Sequence, residues 1–162
     1  MPYRPFSEQN CSIAAALAIV GERWTLLVMR DVLFGRRRFS DIKRSLGVAP
    51  NILSDRLAQL VEHGLLERRA ISDHSDSHEY VPTPKGRDVS PILTALLRWG
   101  DEYAVPEGGP PRVQVHKTCG HDAHPRFHCS HCGEVIERGQ LESRPGPGAT
   151  PKQLAEGILP KA

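Results

Sequence analysis

Between positions 116 and 133 the chain reads HKTCGHDAHPRFHCSHCG, a stretch that gathers three of its four cysteines and five of its eight histidines. His116-x-x-Cys119-Gly120 is matched by Cys129-x-x-Cys132-Gly133. Each half sets two metal-ligating residue types two apart and then supplies the Gly that a tight chain reversal needs. Two such knuckles offer four N and S donors, the set a tetrahedral zinc ion takes. The three cysteines are the firm part of this donor set. His121, His124, His128 and His131 compete with His116 for the fourth place, and His116 is preferred because it restores the paired spacing. Only nine residues separate Cys119 from Cys129, so the unit is a very small ribbon whose folding depends on the metal. A closed four-ligand site leaves no position for a reacting water, so the expected zinc is structural. The competing reading is a flexible tail whose thiols oxidise or bind metal adventitiously.

The fourth cysteine, Cys11, stands alone just before an apolar helical stretch. A thiol at a helix N-terminus meets the positive end of the helix dipole, which raises its thiolate fraction and its reactivity. Its other reading is a small buried hydrophobe.

Most of the remaining chemistry lies between Phe39 and Gly86, FSDIKRSLGVAPNILSDRLAQLVEHGLLERRAISDHSDSHEYVPTPKG. Ile42 and Leu46 mark the inner face of a short helix that Ser40 can cap, with Asp41 in its first turn and Gly47 closing it. Pro50 suits the first turn of the next helix, which Gly64 ends. Leu53, Leu57, Leu60 and Val61 share its inner face, and Asn51, Asp55, Ala58 and Glu62 lie opposite. Two short strands, 66–71 and 79–82, then flank a polar loop. That order predicts a helix-turn-helix with a wing, which lays its second helix in the major groove of DNA. Asn51, Ser54 and Asp55 are the expected base-facing residues: Asn pairs bidentately with adenine, Ser is permissive, and an acid accepts from cytosine. Arg36, Arg37, Arg38 and Lys43 suit phosphates, and Arg56, beside the buried stripe, suits a phosphate or an internal acid.

Charge supports this division. From 36 to 69 eight bases face four acids, an excess of four on a chain whose net charge is only +2. A basic segment on a near-neutral chain is the footprint of a nucleic-acid contact surface.

The elements that must carry these residues are mostly helical. Two helices, about 11–21 and 22–34, precede the DNA-binding pair, and Trp24, Leu27, Val28 and Val32 form the expected buried stripe of the second. Thr83-Pro84 reads as an N-cap and first helical residue of a helix reaching about Ala104, which Pro91 kinks or divides. The expected organisation is a winged helix-turn-helix unit at 1–104, a linker at 105–112, the Cys/His unit at 113–138 and a disordered tail at 139–162. No internal repeat is evident. The fold class is therefore mainly α with a small β-wing, plus a small zinc-ribbon-like appendage.

Several functions are excluded. No apolar run approaches the roughly 20 residues of a membrane span, so no membrane role is expected and the chain reads as cytoplasmic. Paired catalytic carboxylates, a nucleophile elbow, a phosphate loop, HExxH and the deaminase HxE-PCxxC pattern are all missing, so no enzyme is expected.

Residues 9 to 105 resemble the HxlR-type winged-helix transcriptional regulators, bacterial relatives of the MarR group. W-T-L-L-V, G-x-R-R-F, L-x-x-R-L-x-x-L-x-x-x-G-L, T-P-K-G and W-G stand in the family's order. The resemblance implies a homodimer formed by the terminal helices, bound to double-stranded DNA as repressor or activator at a two-fold-related operator. Many such regulators carry a cysteine where Cys11 stands, and in some it senses oxidants or electrophiles; a small-molecule effector is the other expected switch. One departure is the wing tip, which holds Asp73, His74, Asp76 and His78 and no Arg. The alternative function is a winged-helix module that docks onto protein.

Overall fold

The computed structural model describes residues 9–71, 77–105 and 107–156. Two compact units form, Met1–Ala104 and Val105–Ala162. The wing-tip residues Asp73, His74 and Asp76 lie outside the described residues.

The first unit runs α1 (Ser12–Val20), α2 (Thr25–Leu33), α3 (Phe39–Leu46), α4 (Pro50–Glu62), β1 (Leu66–Ala70), β2 (His78–Pro82), α5 (Pro84–Arg87) and α6 (Ser90–Tyr103). The strands are antiparallel, with Leu66 opposite Pro82 and Ala70 opposite His78. The chain ahead of α3 runs along β2: Arg38 bridges Glu79, and Tyr80 N donates to Arg37 O at 2.8 Å. That pairing holds Arg38 extended, so α3 begins at Phe39 and its N-cap position falls on Arg38, not on Ser40.

Val28, Met29 and Val32 of α2, Ile42 of α3, and Leu53, Leu57 and Leu60 of α4 fill the core with Val48, Leu65, Leu66 and Val89. Burying each such side chain contributes about 1.5–3 kcal/mol. The inner faces of α3 and α4 are those the sequence periodicity predicts. In α2 the stripe is rotated: Met29 is fully buried, whereas Leu27 is exposed and Trp24 only half-buried. The helix also starts later than expected, because residues 22–24 form a turn and α2 begins at Thr25.

The T-P-K-G motif ties the wing to the helices. The Thr83 hydroxyl donates to Gly64 O at 2.7 Å and accepts from Gly86 N at 3.0 Å, capping α5. Lys85 Nζ donates to His63 O at 2.8 Å, at the end of α4. A Cβ on Gly86 would lie 2.0 Å from Leu65 O, so only glycine allows α5 to sit against the start of the wing. The helix expected to reach Ala104 is divided into α5 and α6. Pro91 falls in the first turn of α6, where a missing N–H costs nothing.

Among its described residues the second unit contains one short helix, α7 (Pro151–Glu156), inside the stretch expected to lack structure. Thr150 and Gln153 cap it reciprocally: Gln153 N donates to Thr150 Oγ1 at 3.2 Å, and Thr150 N donates to Gln153 Oε1 at 3.0 Å. No single helix among the described residues is long and apolar enough to cross a membrane.

Candidate nucleic-acid interface

The exposed side of α4 follows from its buried one. Leu53, Leu57 and Leu60 are sealed in the core, which fixes the helix rotation and leaves Asn51, Ser54 and Asp55 exposed. Pro50 opens the helix, so Asn51 stands in its first turn, the part of a recognition helix that meets base edges. Arg37, Arg38 and Lys43 are exposed on the loop before α3 and on α3 itself. An open groove lined by Arg38, Ser40, Ser77 and His78 separates the start of α3 from the wing.

Two arginines of the predicted set are tied to acids. Arg36 Nη1 lies 3.7 Å from Asp31 Oδ1, and its backbone N donates to Asp31 O at 2.9 Å. Arg56 Nη1 donates to Gln59 Oε1 at 2.8 Å and lies 3.5 Å from Glu22 Oε2. With its side chain only 19% exposed, Arg56 links α4 to the turn before α2. Its acidic partner is itself largely exposed, the Glu22 side chain by 63%.

Sequence reasoning missed Asp31. Its side chain is fully buried, and Oδ1 accepts from Arg30 Nε at 3.0 Å and Nη2 at 2.8 Å. A buried acid at the end of α2 thus anchors the root of the Arg36–Arg38 loop. The only available signal was an acid at a core-facing helical position two residues after Met29.

Cys11 occupies the N-cap position of α1 with extended backbone (φ −148°), makes no side-chain cap hydrogen bond, and is exposed rather than buried.

The Cys/His residues form two close pairs. His116 Nδ1 lies 3.2 Å from Cys119 Sγ. In the second pair, the backbone N–H groups of Cys132 and His131 and the Cys132 side chain hydrogen-bond the Cys129 sulfur and hold its thiol below the ordinary value. Cys129 and Cys132 open onto one shallow groove. Among the described residues no three His, Cys, Asp or Glu side chains gather around a single point.

A family model described as HxlR-like helix-turn-helix matches residues 19–108. The chain belongs to this family. This HxlR-like protein is a transcriptional regulator of helix-turn-helix type, as are its named relatives. It is 47% identical over 137 residues to the uncharacterized HTH-type transcriptional regulator Rv3095 of Mycobacterium tuberculosis, covering 85% of this chain and 87% of that one. An alignment of that length cannot fit within the first unit and takes in part of the second. Among solved structures, PA1374 of Pseudomonas aeruginosa, described as a candidate transcription factor, is 37% identical with a TM-score of 0.62, covering 90% of this chain and 99% of its own. PA1607, described likewise, is 30% identical with a TM-score of 0.75 and covers 86% of this chain and 98% of its own.

Proposed function

We propose that this HxlR-like regulator acts in the cytoplasm as a homodimer, not as an enzyme, and binds a two-fold-related promoter operator in a sequence-specific manner. The observation that carries the reading is the orientation of α4: its leucines are buried and Asn51, Ser54 and Asp55 face solvent. In this reading these three side chains meet base edges, while Arg37, Arg38 and Lys43 hold phosphates and set the register. Arg36 and Arg56 act mainly through their acidic partners, keeping the loop and α4 in place.

Support for the second copy comes from α6. This 14-residue helix has no buried residue in its own chain. Ile92, Leu96, Trp99 and Tyr103 recur along one side and are exposed, Trp99 by 61%, with the Trp99 and Tyr103 rings 5.5 Å apart. Ile13 and Leu17 extend exposed apolar surface along α1. Apolar stripes of this length on terminal helices suit a self-complementary two-fold interface.

Selection from random duplexes followed by salt titration tests the reading. Asn51→Ala should relax preference at one position per half-site, costing about 1–3 kcal/mol there. Arg37→Ala should weaken all sequences alike and reduce the salt slope by about 1. If both variants keep wild-type affinity and selectivity, α4 does not enter the groove. Binding without sequence preference would favour the protein-docking alternative.

For the switch, Cys11 is the candidate, because it is exposed at the start of α1, one of the helices assigned to the dimer interface. Treatment with a quinone or aldehyde should release operator DNA in the wild type and not in Cys11→Ser. Equal release in both removes Cys11 and leaves a small-molecule effector.

A further inference from the structure

In the second unit a backbone repeat extends beyond the matched His-x-x-Cys-Gly and Cys-x-x-Cys-Gly spacing. Val115 bridges Asp122, and thirteen residues later His128 bridges Val135. His116 N donates to His121 O at 2.9 Å, as Cys129 N does to Glu134 O at 2.9 Å. Gly120 N donates to His116 O at 2.8 Å, and Gly133 N to Cys129 O at 2.9 Å. Ala123 N donates to Gln114 O at 2.7 Å, and Ile136 N to Phe127 O at 2.8 Å. Gly120 and Gly133 take φ of 73° and 76°. Every one of these bonds recurs at the same offset. Across the ten paired positions, 114–123 and 127–136, only Cys119/Cys132 and Gly120/Gly133 keep the same residue. Two unlike sequences therefore build one turn. What they share is a ligand-type residue at its first position, a cysteine at its fourth and a glycine at its fifth.

We infer that these two turns are the halves of one metal site, in which His116, Cys119, Cys129 and Cys132 together bind a single zinc ion that joins the arms and holds the second unit folded. The repeat decides the fourth ligand. His116 stands where Cys129 stands in the other arm. The other histidines occupy positions outside the first and fourth places of either turn: His128, which bridges Val135, matches Val115, His131 matches Thr118, His121 matches Glu134, and His124 follows the turn. His128 is also engaged, its Nδ1 lying 3.1 Å from Gly133 O.

Geometry within the first pair agrees, while the two pairs are not gathered around one point among the described residues, so the ion must draw them together. Two donors at zinc bond lengths of about 2.0 and 2.3 Å on a tetrahedral ion sit about 3.6 Å apart, and His116 Nδ1 and Cys119 Sγ already lie 3.2 Å apart. The need for a metal is also visible. No described side chain of this unit is buried, and Val113, Val115, Phe127 and Leu141 are exposed. Binding deprotonates the three thiols, and their protons leave to the buffer.

The test uses the full chain with zinc alone and with cobalt(II) as a spectroscopic substitute. Expected results are one zinc per chain, cobalt absorption typical of a tetrahedral site with three sulfurs, and at least a 100-fold loss of zinc affinity in Cys129→Ser and in His116→Ala. His121→Ala, His124→Ala, His128→Ala and His131→Ala should each stay within a few-fold of wild type. Wild-type affinity in His116→Ala, two metals per chain, or no zinc retained by the full chain would each overturn the assignment. Operator binding is read in parallel on the same samples, so failure of the metal site and failure of the DNA-binding reading remain distinct.

Discussion

The two units of this chain solve the same problem, a loss of conformational entropy, by opposite means. The first buries a contiguous apolar core from Val28 to Val89. The second buries no described side chain and is held by hairpin turns and caps, with the proposed metal ligands grouped in its two turns. The difference teaches where specificity of structure comes from. In the first unit many weak, non-directional contacts agree, so no single residue decides the fold. In the second, the proposed zinc site would place that decision on four directional ligands, each indispensable.

Removing metal should break the comparison most sharply. A structural zinc contributes on the order of 10 kcal/mol, so chelation should open 113–138 to proteolysis. The thermal midpoint of the first unit should move little. A parallel collapse of both transitions would show that the units are not independent. Next in size is Leu57→Ala, which empties a fully buried position of α4. It should destabilise the first unit by about 2–5 kcal/mol in urea titration, with zinc stoichiometry unchanged. Thr83→Ala should cost less, about 1 kcal/mol, from loss of the α5 cap, and slightly more if the orphaned Gly64 carbonyl stays dry. Smallest is Glu22→Gln, which frees Arg56 from a partner whose side chain is 63% exposed. Its cost should be under about 1 kcal/mol, and its effect on operator affinity tests whether Arg56 acts through position or through DNA.

The sequence was most legible where periodicity and punctuation agree. The inner faces of α3 and α4 and the wing strands followed from leucine spacing, from Gly47 and Gly64, and from Pro50. It was least legible where a distant pairing moved a boundary. The bridge from Arg38 to Glu79 starts α3 ahead of Ser40, the turn at 22–24 delays the start of α2, and packing against the core buries Met29 in place of Leu27. Asp31 was missed because a single acid in an apolar helix carries no period. The paired knuckles were legible, but the ten-position backbone repeat around them was not, because its two copies share only a cysteine and a glycine.

Residue order alone determined the local elements, the exposed face of α4, the basic loop and the pairing of metal-ligand residues, since all depend on neighbours a few positions away. Tertiary structure decided which charges are held by acids within the fold. It covered one side of α6 with α2 and the core and left the side of Ile92, Leu96, Trp99 and Tyr103 exposed. Those outcomes depend on hydrogen bonds and packing between segments far apart in sequence, which no local pattern encodes.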